Sequence, residues 1–124
     1  MDPNTESARQ TEKLNLELRR GTLVLAVLSQ LPRARYGYSL MQRLADKGLE
    51  VEQGTLYPLL RRLADQGLLE SRWDVSGSRP RKYYELSPVG ETVLRQLTAQ
   101  WHDLAATLTV LLDGPNGDPT DGTD

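Results

Sequence analysis

The sequence has no cysteine and only one histidine, His102. The first absence removes disulfides, thiolate nucleophiles and zinc ribbons, and the second leaves too few imidazoles for the usual nitrogen-ligand clusters. No apolar run approaches the roughly 20 residues that cross a bilayer. The opening Met-Asp-Pro-Asn-Thr-Glu has neither the basic start nor the apolar middle of a secretory signal. A cytoplasmic protein without membrane partners is therefore expected. There is also no P-loop, no Gly-x-Gly-x-x-Gly and no Ser/His/Asp set with partners to spare, and the acids are scattered over separate helix faces. Catalysis finds no support, and neither a cofactor nor a metal is expected.

What is present fits one small globular domain. The 124 residues are 38% hydrophobic and 26% charged, somewhat on the polar side of the soluble range. The net charge of −2 looks wrong for a nucleic-acid partner, but four aspartates and no base lie between Asp113 and Asp124. Without that stretch, 15 bases face 13 acids. Residues 55–84 are more basic still, with Arg61, Arg62, Arg72, Arg79, Arg81 and Lys82 against Asp65, Glu70 and Asp74. A phosphate backbone meets this local charge rather than the global sum.

Residues 1–13 are polar without a sustained apolar period and read as a flexible N-terminal segment. Residues 114–124 are rich in Gly, Pro and Asp and read as a disordered acidic tail. One expectation for this tail is weak competition for the basic surface. Between the ends, residues 14–86 read as one folded domain. From Leu16 to Leu31 there are few polar positions in the second half, which predicts a central core helix covered on most sides. Pro32 ends it. Tyr36-Gly37-Tyr38-Ser39 opens a second helix, with Leu40, Met41 and Leu44 on one face and Gly48 as its stop. Leu56, Leu59, Leu60 and Leu63 have i, i+3, i+4, i+7 spacing and predict a third helix, stopped by Gly67. Leu68–Val75 and Arg81–Leu86 read as two strands around the turn cluster Ser76-Gly77-Ser78-Arg79-Pro80. Two short helices followed by a hairpin make a winged helix-turn-helix. The fold class is thus mostly α with a small β-hairpin. Residues 87–113 read as a long C-terminal dimerisation helix, opened by Ser87 as N-cap and Pro88 at the first helical position. Along it Leu94, Leu97, Trp101, Leu104, Leu108 and Leu111 are spaced 3, 4, 3, 4, 3, a seam that calls for a second helix.

With its leucines turned inward, the third helix points Pro58, Arg61 and Asp65 away from the core, flanked by Thr55, Tyr57 and Arg62. Arg, Thr and Tyr on such a face can reach bases or phosphates in a major groove. Two arginines on an isolated helix are more often a solvated face. Pro58 places the helix N-terminus near Gly54, where amide donors point outward. Arg79, Arg81 and Lys82 at a hairpin tip, beside Tyr83 and Tyr84, form a cationic finger suited to a backbone or minor groove. Charges on a short hairpin equally discourage strand pairing between molecules. The basic helix immediately before tips the balance to DNA. Trp101 stands where a leucine would pack more simply, so it fills core volume or lines a cavity between helices. Trp73 reads as a packing residue that holds the wing to the helices, and His102 as exposed and idle.

In order along the chain, Leu18-Arg19-Arg20-Gly21-Thr22-Leu23, Tyr36-Gly37-Tyr38, Gly54-Thr55-Leu56-Tyr57-Pro58-Leu59-Leu60-Arg61-Arg62-Leu63, Gly67-Leu68-Leu69 and Arg81-Lys82-Tyr83-Tyr84-Glu85-Leu86 strongly resemble the PadR family of bacterial transcriptional regulators. The match covers about residues 16–112. The resemblance implies a homodimer of winged-helix domains built on one C-terminal helix, the short form of the family. It also implies a repressor that binds a double-stranded DNA operator and is released by a small aromatic or drug-like effector. The recognition helix would be residues 54–66 and the wing residues 72–84. By analogy Tyr36, Tyr38, Thr55, Tyr57, Arg61, Arg81 and Lys82 touch DNA, with Arg79 joining them from the cationic finger. Trp101 matches a tryptophan that lines an interfacial drug pocket in some short members. Glu52 departs from the Ser or Asp cap of many relatives, which weakens the start of the third helix. The competing reading is a winged-helix module that binds protein instead of DNA. A ligand-binding dimer without DNA affinity rests on Trp101 alone.

Overall fold

The computed structural model describes residues 3–117, and the expected acidic tail lies outside them from residue 118 on. Four helices and three short strands follow in the order α1 (Pro3–Ser29), β1 (Arg35–Tyr36), α2 (Gly37–Asp46), α3 (Gln53–Asp65), β2 (Leu69–Asp74), β3 (Arg81–Leu86) and α4 (Pro88–Gly117). The chain divides after Leu94 into two compact units. The first carries the winged helix-turn-helix and the second most of α4.

Residues 3–13 are helical, not the loose segment their polarity suggested. They hold few apolar residues but many strong helix formers, and extending a nucleated helix adds one hydrogen bond per residue. Glu6 supports this turn by accepting from Gln10 Nε2 at 2.9 Å and lying 3.8 Å from Arg9. α1 is also less covered than expected. Val27 and Leu28 are fully buried, Leu23 to Ala26 are half-buried, and Leu14, Leu16 and Leu18 are exposed. Its end is tied in place, because the Leu86 amide donates to the Leu31 carbonyl at 2.8 Å.

The core gathers Val27, Leu28, Leu31, Leu40, Leu44, Leu56, Leu60 and Leu63 beneath the sheet residues Leu69, Tyr84 and Leu86. α2 and α3 stop where the glycines predict. Gly48 (φ +97°) and Gly67 (φ +81°) take left-handed conformations that a side chain disfavours. After each, the next amide reaches back to the helix, Leu49 to Leu44 at 2.8 Å and Leu68 to Leu63 at 3.0 Å, closing a Schellman motif. The start of α3 has no such support, since its N-cap Glu52 makes no side-chain cap hydrogen bond.

The sheet holds one strand more than the hairpin. Its order is β1-β3-β2, all antiparallel, with Tyr36 opposite Tyr83 and Tyr83 opposite Arg72. Two residues are too few to show a period of two in the sequence. α4 opens as predicted, because Ser87 Oγ accepts from the Gly90 amide at 3.0 Å. The same hydroxyl donates to the Gly67 carbonyl at 2.6 Å, linking this cap to the end of α3. Ser87→Ala removes both bonds and is expected to lower unfolding free energy by about 1–2 kcal/mol, read as a shift in urea midpoint. α4 runs to Gly117, four residues past the predicted end.

Candidate nucleic-acid interface

The outer face of α3, the start of α2 and the hairpin enclose an open cleft of about 920 Å³. Its walls include Tyr36 and Tyr38 from the β1–α2 junction, Tyr57 and Arg61 from α3, and Arg79, Arg81 and Lys82 from the wing. Seven of the eight residues assigned to DNA from the sequence thus share one surface. Thr55, the eighth, is exposed on the first turn of α3 and does not line the cleft.

Each side chain arrives there for a local reason. The i, i+3, i+4 leucines of α3 bury one stripe, which leaves Arg61 exposed and Tyr57 half-buried on the cleft side. Gly37 fits the Tyr57 ring closely, for a Cβ there would lie 3.0 Å from Tyr57 Cε1. This bare position lets the first turn of α2 approach α3. Tyr38, one residue on, is 60% exposed, and its hydroxyl accepts from Gln42 Nε2 at 3.3 Å.

Alternation along the hairpin sends Leu69, Tyr84 and Leu86 inward. Lys82 and Trp73 continue that row beyond the reach of the helices. There the Lys82 ammonium lies 5.6 Å from the Trp73 ring centroid and 5.7 Å from that of Tyr84, within cation–π range. Trp73 is accordingly 63% exposed, and it does not hold the wing to the helices as its type suggested. Burial pushes the Tyr84 hydroxyl above its ordinary range, so it stays protonated.

On the opposite row Tyr36 stacks on Tyr83 with centroids 4.3 Å apart and planes 18° apart. Its oxygen lies 2.7 Å from Asp74 Oδ2 and 3.0 Å from the Tyr83 oxygen. The Tyr36 hydroxyl donates its one hydrogen to the carboxylate, so in the pair with Tyr83 it accepts. Asp74 Oδ1 accepts from the Ser76 hydroxyl at 2.6 Å and the Ser76 amide at 3.0 Å. The Ser76 contacts, then Tyr36, pull the Asp74 pKa down to about 2. The Arg81 guanidinium lies 5.0 Å from the Tyr36 ring centroid.

Gln53 and Trp73 are among the cleft residues that the sequence did not assign to DNA. Gln53 donates to the Tyr57 hydroxyl at 3.3 Å, and its i, i+4 spacing from Tyr57 was a usable signal. Trp73 gave none, because an inward and an overhanging residue share the same strand parity. In the second unit Trp101, Leu104, Leu108 and Leu111 of the seam are exposed, Trp101 to 42%, while Leu97 is half-buried. Leu94, the last residue of the first unit, is half-buried too. His102 is exposed and stands T-shaped to the Trp101 ring, at 5.2 Å between centroids. Among the described residues there is no group of three or more metal-ligating side chains and no helix long and apolar enough to cross a membrane.

Known proteins share this architecture. A crystal structure of a PadR family transcriptional regulator from Eggerthella lenta is 51% identical, covering 88% of this chain and 97% of that one, with a TM-score of 0.82. A PadR-like transcription factor from Bacteroides fragilis is 35% identical over 80% of this chain and 98% of its own, with a TM-score of 0.68. The fold also matches Bacillus subtilis PadR, solved in complex with operator DNA, at 23% identity, 62% and 45% coverage and a TM-score of 0.58. The model of the Transcriptional regulator PadR-like family matches residues 24–96, which span the last six residues of α1, the helix-turn-helix, the wing and the opening turns of α4, and the chain belongs to that family.

Proposed function

We propose that this regulator is a sequence-specific DNA-binding repressor that works as a homodimer. The observation that carries the reading is the single cleft, in which Tyr38, Tyr57, Arg61, Arg79, Arg81 and Lys82 converge beside an exposed α3. Four cations and several phenolic or indole rings on one surface suit a phosphate backbone and the base edges beside it. Each protomer lays α3 in a major groove with Thr55 near its leading end. The wing then lies along flanking backbone, and the two reading helices stand about one helical turn, roughly 34 Å, apart. Operator binding by the Bacillus subtilis relative of the same fold supports the assignment.

Dimerisation uses the α4 seam, whose exposed Trp101, Leu104, Leu108 and Leu111 gain burial only from a partner. A small aromatic effector held beside Trp101 releases the operator by changing the angle between protomers, so that the reading helices no longer match the groove spacing.

The test is an anisotropy titration with the DNA upstream of the protein's own gene and a scrambled duplex of equal length, at two salt concentrations. Sedimentation is run at the same protein concentrations. Preference for the upstream duplex, a steep fall in affinity with salt and a dimer at micromolar concentration are expected. A monomer, or no preference there and none in a genome-wide selection, overturns the reading and favours a protein-binding winged helix.

A further inference from the structure

An acid stands where a DNA-binding wing should least want one. Asp74 ends β2 directly opposite Arg81, at the mouth of the turn 75–80. A carboxylate there repels any phosphate that Arg81 and Lys82 attract. Its contacts point to a different task. One oxygen accepts a hydrogen bond from the Tyr36 hydroxyl at 2.7 Å, and the other accepts from the Ser76 hydroxyl and amide. Tyr36 belongs to the two-residue strand immediately before α2, so this one carboxylate bridges the wing tip to the helix-turn-helix. Tyr83 completes the bridge by stacking on Tyr36 and donating to its oxygen. The Tyr36 hydroxyl therefore has its proton and an acceptor site already engaged, and the Arg81 guanidinium lies over its ring.

We propose that Tyr36, Asp74 and Tyr83 form a latch that sets the angle of the wing to the reading helix, with Tyr36 and Asp74 acting as positioning residues rather than phosphate contacts. A two-stranded hairpin is marginal by itself. β1 adds only two residues of pairing, so the side-chain bridge supplies the constraint that the short third strand lacks. The latch holds Arg81 where the groove needs it and accepts the repulsion of Asp74 in return. This assignment rests on the DNA-binding reading above, but the latch itself has a readout that needs no DNA.

Asp74→Ala removes the carboxylate, and Tyr36→Phe keeps the ring stack while deleting only the hydroxyl. As a mere surface charge, Asp74 should on removal tighten DNA binding. As a latch it gives the opposite sign. Each variant is expected to weaken operator binding by roughly fivefold to tenfold. The double variant should be little weaker than either single one, and the salt slope should stay unchanged. Hydrogen exchange on the free full-length protein should show faster exchange of the wing amides in both variants, with protection of α3 retained.

Unchanged wing protection in both variants overturns the latch whatever the DNA result. Tighter binding by Asp74→Ala, or a salt slope made shallower by Tyr36→Phe, overturns the positioning role and returns Tyr36 to the backbone contacts. If the wild-type protein binds no operator, that failure belongs to the DNA-binding reading, and faster wing exchange in both variants still upholds the latch.

Discussion

Alanine at position 90 is expected to destabilise the protein by about 3 kcal/mol, although helix propensity alone favours alanine over glycine by about 1 kcal/mol. Gly90 is buried on the first turn of α4, and a Cβ there would collide with the carbonyl oxygen of Leu68 and come within 3.2 Å of Leu86 Cδ2. The obstructing atom is backbone and cannot rotate away. Moving it would break the 3.0 Å bond from the Ser87 amide to the same Leu68 carbonyl, and would disturb the Ser87 cap that the Gly90 amide completes. Steric cost therefore outweighs propensity. Thermal melts of Gly90→Ala should show a fall in Tm of roughly 10 °C or more. Gly54→Ala, on an open surface of α3, should leave stability unchanged or slightly raised. A Gly90→Ala protein as stable as wild type would mean that α4 does not start against the Leu68 backbone.

Neutralising Arg61, Arg81 and Lys82 together, each to glutamine, should have the largest effect on DNA binding. Each cation that no longer neutralises a phosphate lowers the slope of log affinity against log salt by about 0.9. Three per protomer make six in a dimer, so the slope should become shallower by about 5, and affinity near 0.1 M salt should fall by a factor of roughly 1,000 or more. Arg61 and Arg81 are exposed and Lys82 lies at the edge of the cleft over Trp73 and Tyr84. The fold should survive, with helical circular dichroism unchanged. Retention of a steep slope by the triple variant would move the phosphate-binding surface elsewhere on the molecule.

The local features were legible in the sequence because their causes are local. The leucine spacing of α3 and the glycines at 48 and 67 belong to single helices, and Ser87-Pro88 marks one helix start. The hairpin was readable from its turn cluster and from Arg81-Lys82-Tyr83-Tyr84. For the same reason half of the cleft could be named in advance: residues on one face of a helix and at one hairpin tip are neighbours by spacing alone. The helical start of α1 was not legible, because apolar periodicity says nothing of a polar helix extended by propensity. β1 was hidden because two residues carry no period.

The sequence by itself determined the order of the four helices and the hairpin, the charge of the wing and third helix, and the apolar seam of α4, because each follows from the spacing of side chains along one segment. Only the tertiary structure decided the rest. It left Trp73 exposed at the far end of the inward-facing row of the sheet. It set Gly90 against a carbonyl 22 positions earlier, leaving no room for a Cβ. It joined Tyr36 to Asp74 across 38 residues, and a hydrogen bond between such distant positions leaves no periodic trace in the segments that make it.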